Sequence, residues 1–162
     1  MMTIEEALKQ CPVFAALNQT ELKRIASLAE EREYEAGTTI LQKGDSANVL
    51  LVLQEGKVAL QTTLPATQAA IHRRVTVDIV NPNEVIGWSA LVEPYVYVLT
   101  AVCLQKVKVI RINGIELRGL LQNEPKVGSE VLKELIKVVA SRLEETRNVL
   151  ASERLGVPVK PD

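Results

Sequence analysis

The chain has 162 residues, of which 47% are hydrophobic and 24% charged, with a formal net charge of −1. That length supports one domain with a real core, and that composition is globular rather than disordered. Near-neutrality removes a general electrostatic attraction to nucleic acid, one His cannot build a His-based metal site, and two Cys cannot hold an iron–sulfur cluster by four thiolates.

The N-terminus MMTIEEALKQ is acidic and amphipathic, with no basic segment followed by an apolar core, so no signal peptide is expected. Thr3 to Gln10 reads as a short helix, with Thr3 as its cap and Glu5 and Glu6 in the first turn. Pro12 stops it, and Cys11-Pro12 reads as a helix end rather than a haem ligand. Asn18 offers a second cap, with Glu21 three residues on, close to a capping box. Leu22, Ile25, Ala26 and Leu28-Ala29 then form a helical stripe that runs to about Glu31.

From Glu33 to Val109 the pattern is strand and turn. Gly37, Gly44-Asp45, Gly56, Pro65 and Asn81-Pro82-Asn83 punctuate the runs Thr38–Leu41, Val49–Gln54, Lys57–Thr63, Arg73–Val80 and Val96–Ile110. Apolar runs such as Val49–Leu53 are far too short to cross a bilayer. The spacing predicts a mainly β fold, a rolled antiparallel jelly-roll barrel with an interior just wide enough for a small ligand. His72-Arg73-Arg74 reads as a solvated basic hairpin tip.

After Asn113 the pattern is helical again. Gly114–Gln122 is a short helix, and a long one follows Glu124-Pro125 to about Arg154. Leu132, Ile136, Val139, Leu143, Thr146 and Leu150 recur in steps of four and three, a heptad seam. The seam outruns what a small barrel can cover at about 1.5 Å per residue, so it predicts a homodimer through this C-terminal helix. Glu144-Glu145, Arg142 and Arg147 flank it and read as intra- or interhelical ion pairs. One domain over residues 1–155 and a tail over 156–162 are expected. With two cysteines, Cys11 and Cys103, a reducing, cytoplasmic setting is the simplest expectation.

The stretch VIGWSALVEPYVYVLTA, Val85 to Ala101, stands apart. Its only charge is Glu93, no Lys or Arg occurs between Arg74 and Lys106, and it holds three of the five aromatics, Trp88, Tyr95 and Tyr97. Upstream lie Leu41-Gln42-Lys43-Gly44-Asp45, the apolar run Val49–Leu53 and Glu55-Gly56-Lys57-Val58. In this order, with Asn83-Glu84-Val85-Ile86-Gly87 and then Thr100-Ala101, the chain resembles cyclic nucleotide-binding domains, most nearly the sensor half of Crp/Fnr bacterial regulators.

The resemblance covers roughly Ile4 to Leu150 and implies a double-stranded β-helix with N-terminal helices and a long C-terminal dimerisation helix. It implies a phosphate-binding cassette at Gly87, Trp88, Ser89, Ala90, Leu91, Leu99, Thr100 and Ala101. In the family a Glu after the cassette Gly accepts from the ribose hydroxyl, and an Arg before the Thr/Ser-Ala pair neutralises the phosphate. Here Trp88 and Leu99 occupy those positions. A subgroup with Gly-Trp-Ser-Ala-Leu offers an Arg in a Pro-Tyr-Arg-Tyr turn; this chain has Pro94-Tyr95-Val96-Tyr97. A missing charged partner at a buried site costs about 2–5 kcal/mol, or about two to three orders of magnitude in affinity.

Three readings of the cassette stay open. It binds a less charged ligand between Trp88, Tyr95 and Tyr97; it is filled by its own side chains; or it binds a cyclic nucleotide with Arg73, Arg74 or a long-helix residue as cation. The leading functional expectation is a stand-alone regulatory sensor with a degenerate cassette, signalling through its dimer helix. The alternatives are a protein-interaction module with a ligand-free pocket, or the sensor half of a longer transcription regulator. DNA binding needs a further helix-turn-helix domain, which this chain is too short to carry beyond Arg154. No nucleophile–base–acid set is legible, so an enzyme is not expected.

Overall fold

In the computed structural model, residues 2–64 and 73–154 are described. The hairpin tip at His72 and the tail over 156–162 lie outside them. Two helices lead. Helix α1 (Ile4–Gln10) starts at Thr3 and α2 (Gln19–Ala26) at Asn18, and both starts are complete capping boxes, closed by Glu6 and Glu21. Each cap satisfies two amides that a helix start leaves unpaired. Leu8, Leu22 and Ile25 face the core with Phe14 and Leu17 of the linker.

Eight strands follow: β1 (Ala29–Tyr34), β2 (Thr39–Leu41), β3 (Val49–Glu55), β4 (Val58–Leu64), β5 (Arg73–Val80), β6 (Val85–Ile86), β7 (Thr100–Cys103) and β8 (Val107–Asn113). They form two four-stranded antiparallel sheets, in the orders β1-β8-β3-β6 and β2-β7-β4-β5. This is the expected jelly roll. Leu50 to Leu53 are all buried, so β3 is covered on both faces, and one continuous core joins both sheets to the helices.

Two expectations need correction. The helical stripe does not run to Glu31: α2 ends at Ala26, where the Ser27 hydroxyl donates to the Arg24 carbonyl at 2.6 Å. Ala29–Tyr34 is instead an edge strand on β8. Its charges lack strand periodicity because they pair across the sheet, Glu30 with Arg111 at 3.4 Å and Glu31 with Lys108 at 3.8 Å. Second, Val96–Ile110 is not one strand. Val96 makes a lone bridge to Ser46, β7 runs only over Thr100–Cys103, and the Leu104 amide donates to the Lys57 carbonyl before β8 begins.

Helices α3 (Gly114–Asn123) and α4 (Pro125–Arg154) close the chain. A Cβ on Gly128 would meet the Leu121 carbonyl oxygen at 2.5 Å, so only glycine lets α4 approach α3 this closely. Helix α4 carries two stripes rather than one. Val127, Val131, Leu135 and half-buried Val138 face the barrel. Leu132, Ile136, Val139, Leu143 and Leu150 lie about 100° away round the helix and stay exposed, Ile136 at 67%. Thr146, in the remaining seam position, is exposed and donates its hydroxyl to the Arg142 carbonyl at 2.8 Å.

Candidate functional site

Strand β6 delivers Gly87 to the barrel interior. Gly87 has φ +83°, and a Cβ there would meet Leu41 Cδ1 at 2.7 Å and Tyr97 Cε1 at 3.1 Å. Both the left-handed backbone and the close approach require glycine. A short 3₁₀ helix, Trp88–Leu91, follows, then a turn with a cis Glu93–Pro94 peptide and Tyr95 at φ +58°. A bulky residue in that region is an outlier, and such residues gather at ligand clamps and switch segments.

The cassette borders a cavity of about 40 Å³. Gly87, Trp88, Ser89, Leu99 and Ala101 line it, facing Leu41, Leu60, Ile86 and Tyr97. Five of the eight expected cassette residues therefore converge on one space. The other three do not line it. Ala90 is fully buried beneath the turn. Leu91 borders a separate hollow with Tyr95, Arg118 and Leu132. Thr100 is buried with its hydroxyl accepting from the Lys43 amide at 3.1 Å and from Gln42 Nε2 at 3.3 Å.

The walls are apolar. Tyr97 brings a hydroxyl, but it donates to the Val49 carbonyl at 2.6 Å and accepts from the Val49 amide at 3.2 Å. Burial pushes the Tyr97 phenol above its ordinary value. Among the described residues no Lys or Arg lines the cavity. Arg73 and Arg74, offered as replacement cations, sit exposed at the far end of β5 opposite Leu64 and Thr63. Ligand pockets for drug-sized molecules span roughly 300–1,000 Å³, so a nucleotide would need Leu41, Trp88 or Leu99 to move.

The outer side of the cassette is charged. Arg142 of α4 donates from Nη1 to Asp78 Oδ2 at 2.7 Å and from Nη2 to Glu84 Oε2 at 2.5 Å, with its side chain only 14% exposed. Arg118 of α3 donates to the Ala90 carbonyl at 2.7 Å and to the Ala47 carbonyl at 3.2 Å, and its guanidinium lies 4.0 Å from the Tyr95 ring centre. These arginines were not legible as site residues. Arg142 read as part of a helix-surface pair, but its Glu145 neighbour is 3.9 Å away and its close partners belong to the barrel. One signal was present: Arg142 extends the second stripe, Val131-Leu135-Val138, by one step.

Elsewhere, Cys11 and Cys103 are free and buried, and burial pushes the Cys11 thiol up to about 11. Among the described residues no cluster of His, Cys, Asp or Glu is arranged to hold a metal ion, and no helix is long and apolar enough to cross a membrane.

A jelly roll that turns a glycine-led segment toward its interior and closes with a long helix is the architecture of a cyclic nucleotide-binding domain. Residues 31–124 match the profile of the cyclic nucleotide-binding domain, and the chain belongs to that family. A Geobacter metallireducens protein assigned to the cyclic nucleotide-binding proteins is 31% identical, with TM-score 0.75 over 88% of this chain and 99% of that one. The N-terminal domain of a transcriptional regulator from Streptomyces coelicolor is 28% identical, with TM-score 0.65 over 89% and 94%. The catabolite activator protein of Thermus thermophilus shares the fold at 24% identity and TM-score 0.66, over 86% of this chain and 61% of that one. No curated protein sequence matches the chain significantly.

Proposed function

We propose that the protein is a regulatory sensor module of the cyclic nucleotide-binding family whose cassette has exchanged anion chemistry for an apolar pocket, and that it dimerises and signals through α4. The observation that supports this most is the combination at Gly87. The left-handed glycine turn and its 3₁₀ helix are intact, while the two positions that would carry charge are Trp88 and Leu99, both on the cavity wall. Holding the bulky Tyr95 at φ +58° in the turn that follows is costly without a use for its shape. The same walls argue against an enzyme: Ser89 lines the cavity with no imidazole or carboxylate beside it among the described residues.

The dimer rests on the exposed seam. Leu132, Ile136, Val139, Leu143 and Leu150 line one face that the barrel leaves open, with Thr146 between them. A face of this spacing is what two helices bury against each other. Sedimentation equilibrium is expected to give a dimer for the wild type and a folded monomer for Ile136→Asp. A wild-type monomer at about 100 μM, far above typical working affinities, rules out the dimer helix.

A second reading, an interaction module with a filled pocket, is favoured by the small cavity alone. Titration of Trp88 fluorescence with cyclic AMP and cyclic GMP tests the ligand reading, because Trp88 is the chain's only Trp and lies on the cavity wall. The expected result is no saturation below about millimolar nucleotide, given two to three lost orders of magnitude. Saturation at micromolar nucleotide would mean that a cation reaches the phosphate after all, and the apolar-pocket reading fails.

A further inference from the structure

We infer that the cassette is held from outside its pocket by two arginines of the C-terminal helices, Arg142 at its leading end and Arg118 at its trailing end, and that these are the residues coupling pocket and helix. The inference takes its regulatory meaning from the sensor reading above, but the grip itself rests on side-chain contacts alone.

The leading end is a closed network. Asp78 divides its two oxygens between strand β5 and the helix, and Glu84 divides its own between the turn and the helix. Asp78 Oδ1 accepts from the Ile79 amide at 2.8 Å and Oδ2 from Arg142. Glu84 Oε1 accepts from the Asn81 amide at 2.8 Å and Oε2 from Arg142. The Asn83 amide donates to the Leu53 carbonyl at 2.7 Å, and Asn83 itself is left-handed, at φ +73°. Glu84 stands three residues before Gly87. A planar guanidinium can serve both carboxylates at once, and an ammonium cannot do so with the same geometry. Removing Arg142 leaves two partly buried carboxylates side by side without a cation.

The trailing end is built differently. Arg118 satisfies the Ala90 carbonyl inside the 3₁₀ helix and stacks on left-handed Tyr95. It belongs to α3, which α4 follows after the single residue Glu124 and against which Gly128 packs closely. Arg118 and Arg142 therefore sit on one helical unit, reaching the cassette on both sides of its glycine. A displacement of that unit pulls on both ends, and a rearrangement of the cassette must break or drag both grips.

Hydrogen exchange by mass spectrometry on the full chain tests this without any ligand. Arg142→Gln is expected to speed amide exchange over residues 81–91 by roughly ten- to hundredfold, the loss of a charge-assisted pair, while β3 and β8 keep wild-type rates. Glu84→Gln should do the same, and the double variant should add little to either single one. Arg142→Lys should fall between, since it restores charge without the fork. Arg118→Gln should speed residues 88–97. The inference is overturned if Arg142→Gln frays only α4 and leaves 81–91 at wild-type rates. It is equally overturned if β3, β8 and the cassette accelerate together, which reports lowered global stability. If Arg142→Gln fails to fold, the Glu84→Gln and Arg142→Lys pair decides by the same segments.

Discussion

On its inner face the cassette meets the cavity with Trp88, Leu99 and Tyr97; on its outer face it meets the C-terminal helices with Glu84, the Ala90 carbonyl and Tyr95, each engaged by an arginine. One short segment thus has an apolar side toward the cavity and a charged side toward the helices. An anion-binding cassette needs fixed cations inside, where low dielectric makes them strong. Here the strong charge pairs lie outside, between barrel and helix. In the proposed sensor, recognition and transmission can therefore change independently: the inner face would set what binds, and the outer face what reaches α4.

The largest break in this comparison restores charge to the inner face. Trp88→Glu with Leu99→Arg rebuilds the two missing positions. The pair is expected to raise affinity for cyclic AMP by about two to three orders of magnitude, read by calorimetry because the variant lacks the Trp. Leu99 is half-buried on the cavity wall, so a guanidinium there can reach the pocket while its stem stays packed. A variant that folds but stays blind to cyclic AMP would show that cavity shape, rather than missing charge, excludes the nucleotide.

The sequence made much of this legible where the determinants are local. The Asn18–Glu21 box and the Thr3 cap are spelled in neighbouring residues, and β5 falls on Arg73–Val80 as its β-rich run predicts. That Gly87, Ser89 and Ala101 border one cavity is legible because they keep the order and spacing of the family pattern. What escaped depends on partners far along the chain. The charges of β1 make sense only beside β8, about 80 residues later. From sequence Arg142 pairs only within its helix, because its carboxylates lie 58 and 64 residues upstream and only the crossing path of α4 selects them. The cavity's size was hidden too, since Leu41 and Leu60 arrive from two other strands.

A smaller effect sharpens the inner face further. Tyr97 is the one wall residue whose polar tip is both buried and fully spent, on the Val49 amide and carbonyl. Tyr97→Phe keeps the wall and removes that tip, so it should cost about 1–2 kcal/mol in urea denaturation at pH 7. The pH dependence has a defined sign. Burial raises the folded phenol above the unfolded value of 10.0, so its contribution is complete below pH 10 and is lost as pH rises through the folded value. The wild type should lose stability more steeply than Tyr97→Phe above pH 10, and the two curves should converge there. Nucleotide response should not change, because the hydroxyl serves the backbone. If Tyr97→Phe is as stable as the wild type at every pH, that hydroxyl is free to meet a ligand, and the inner face keeps one polar handle after all.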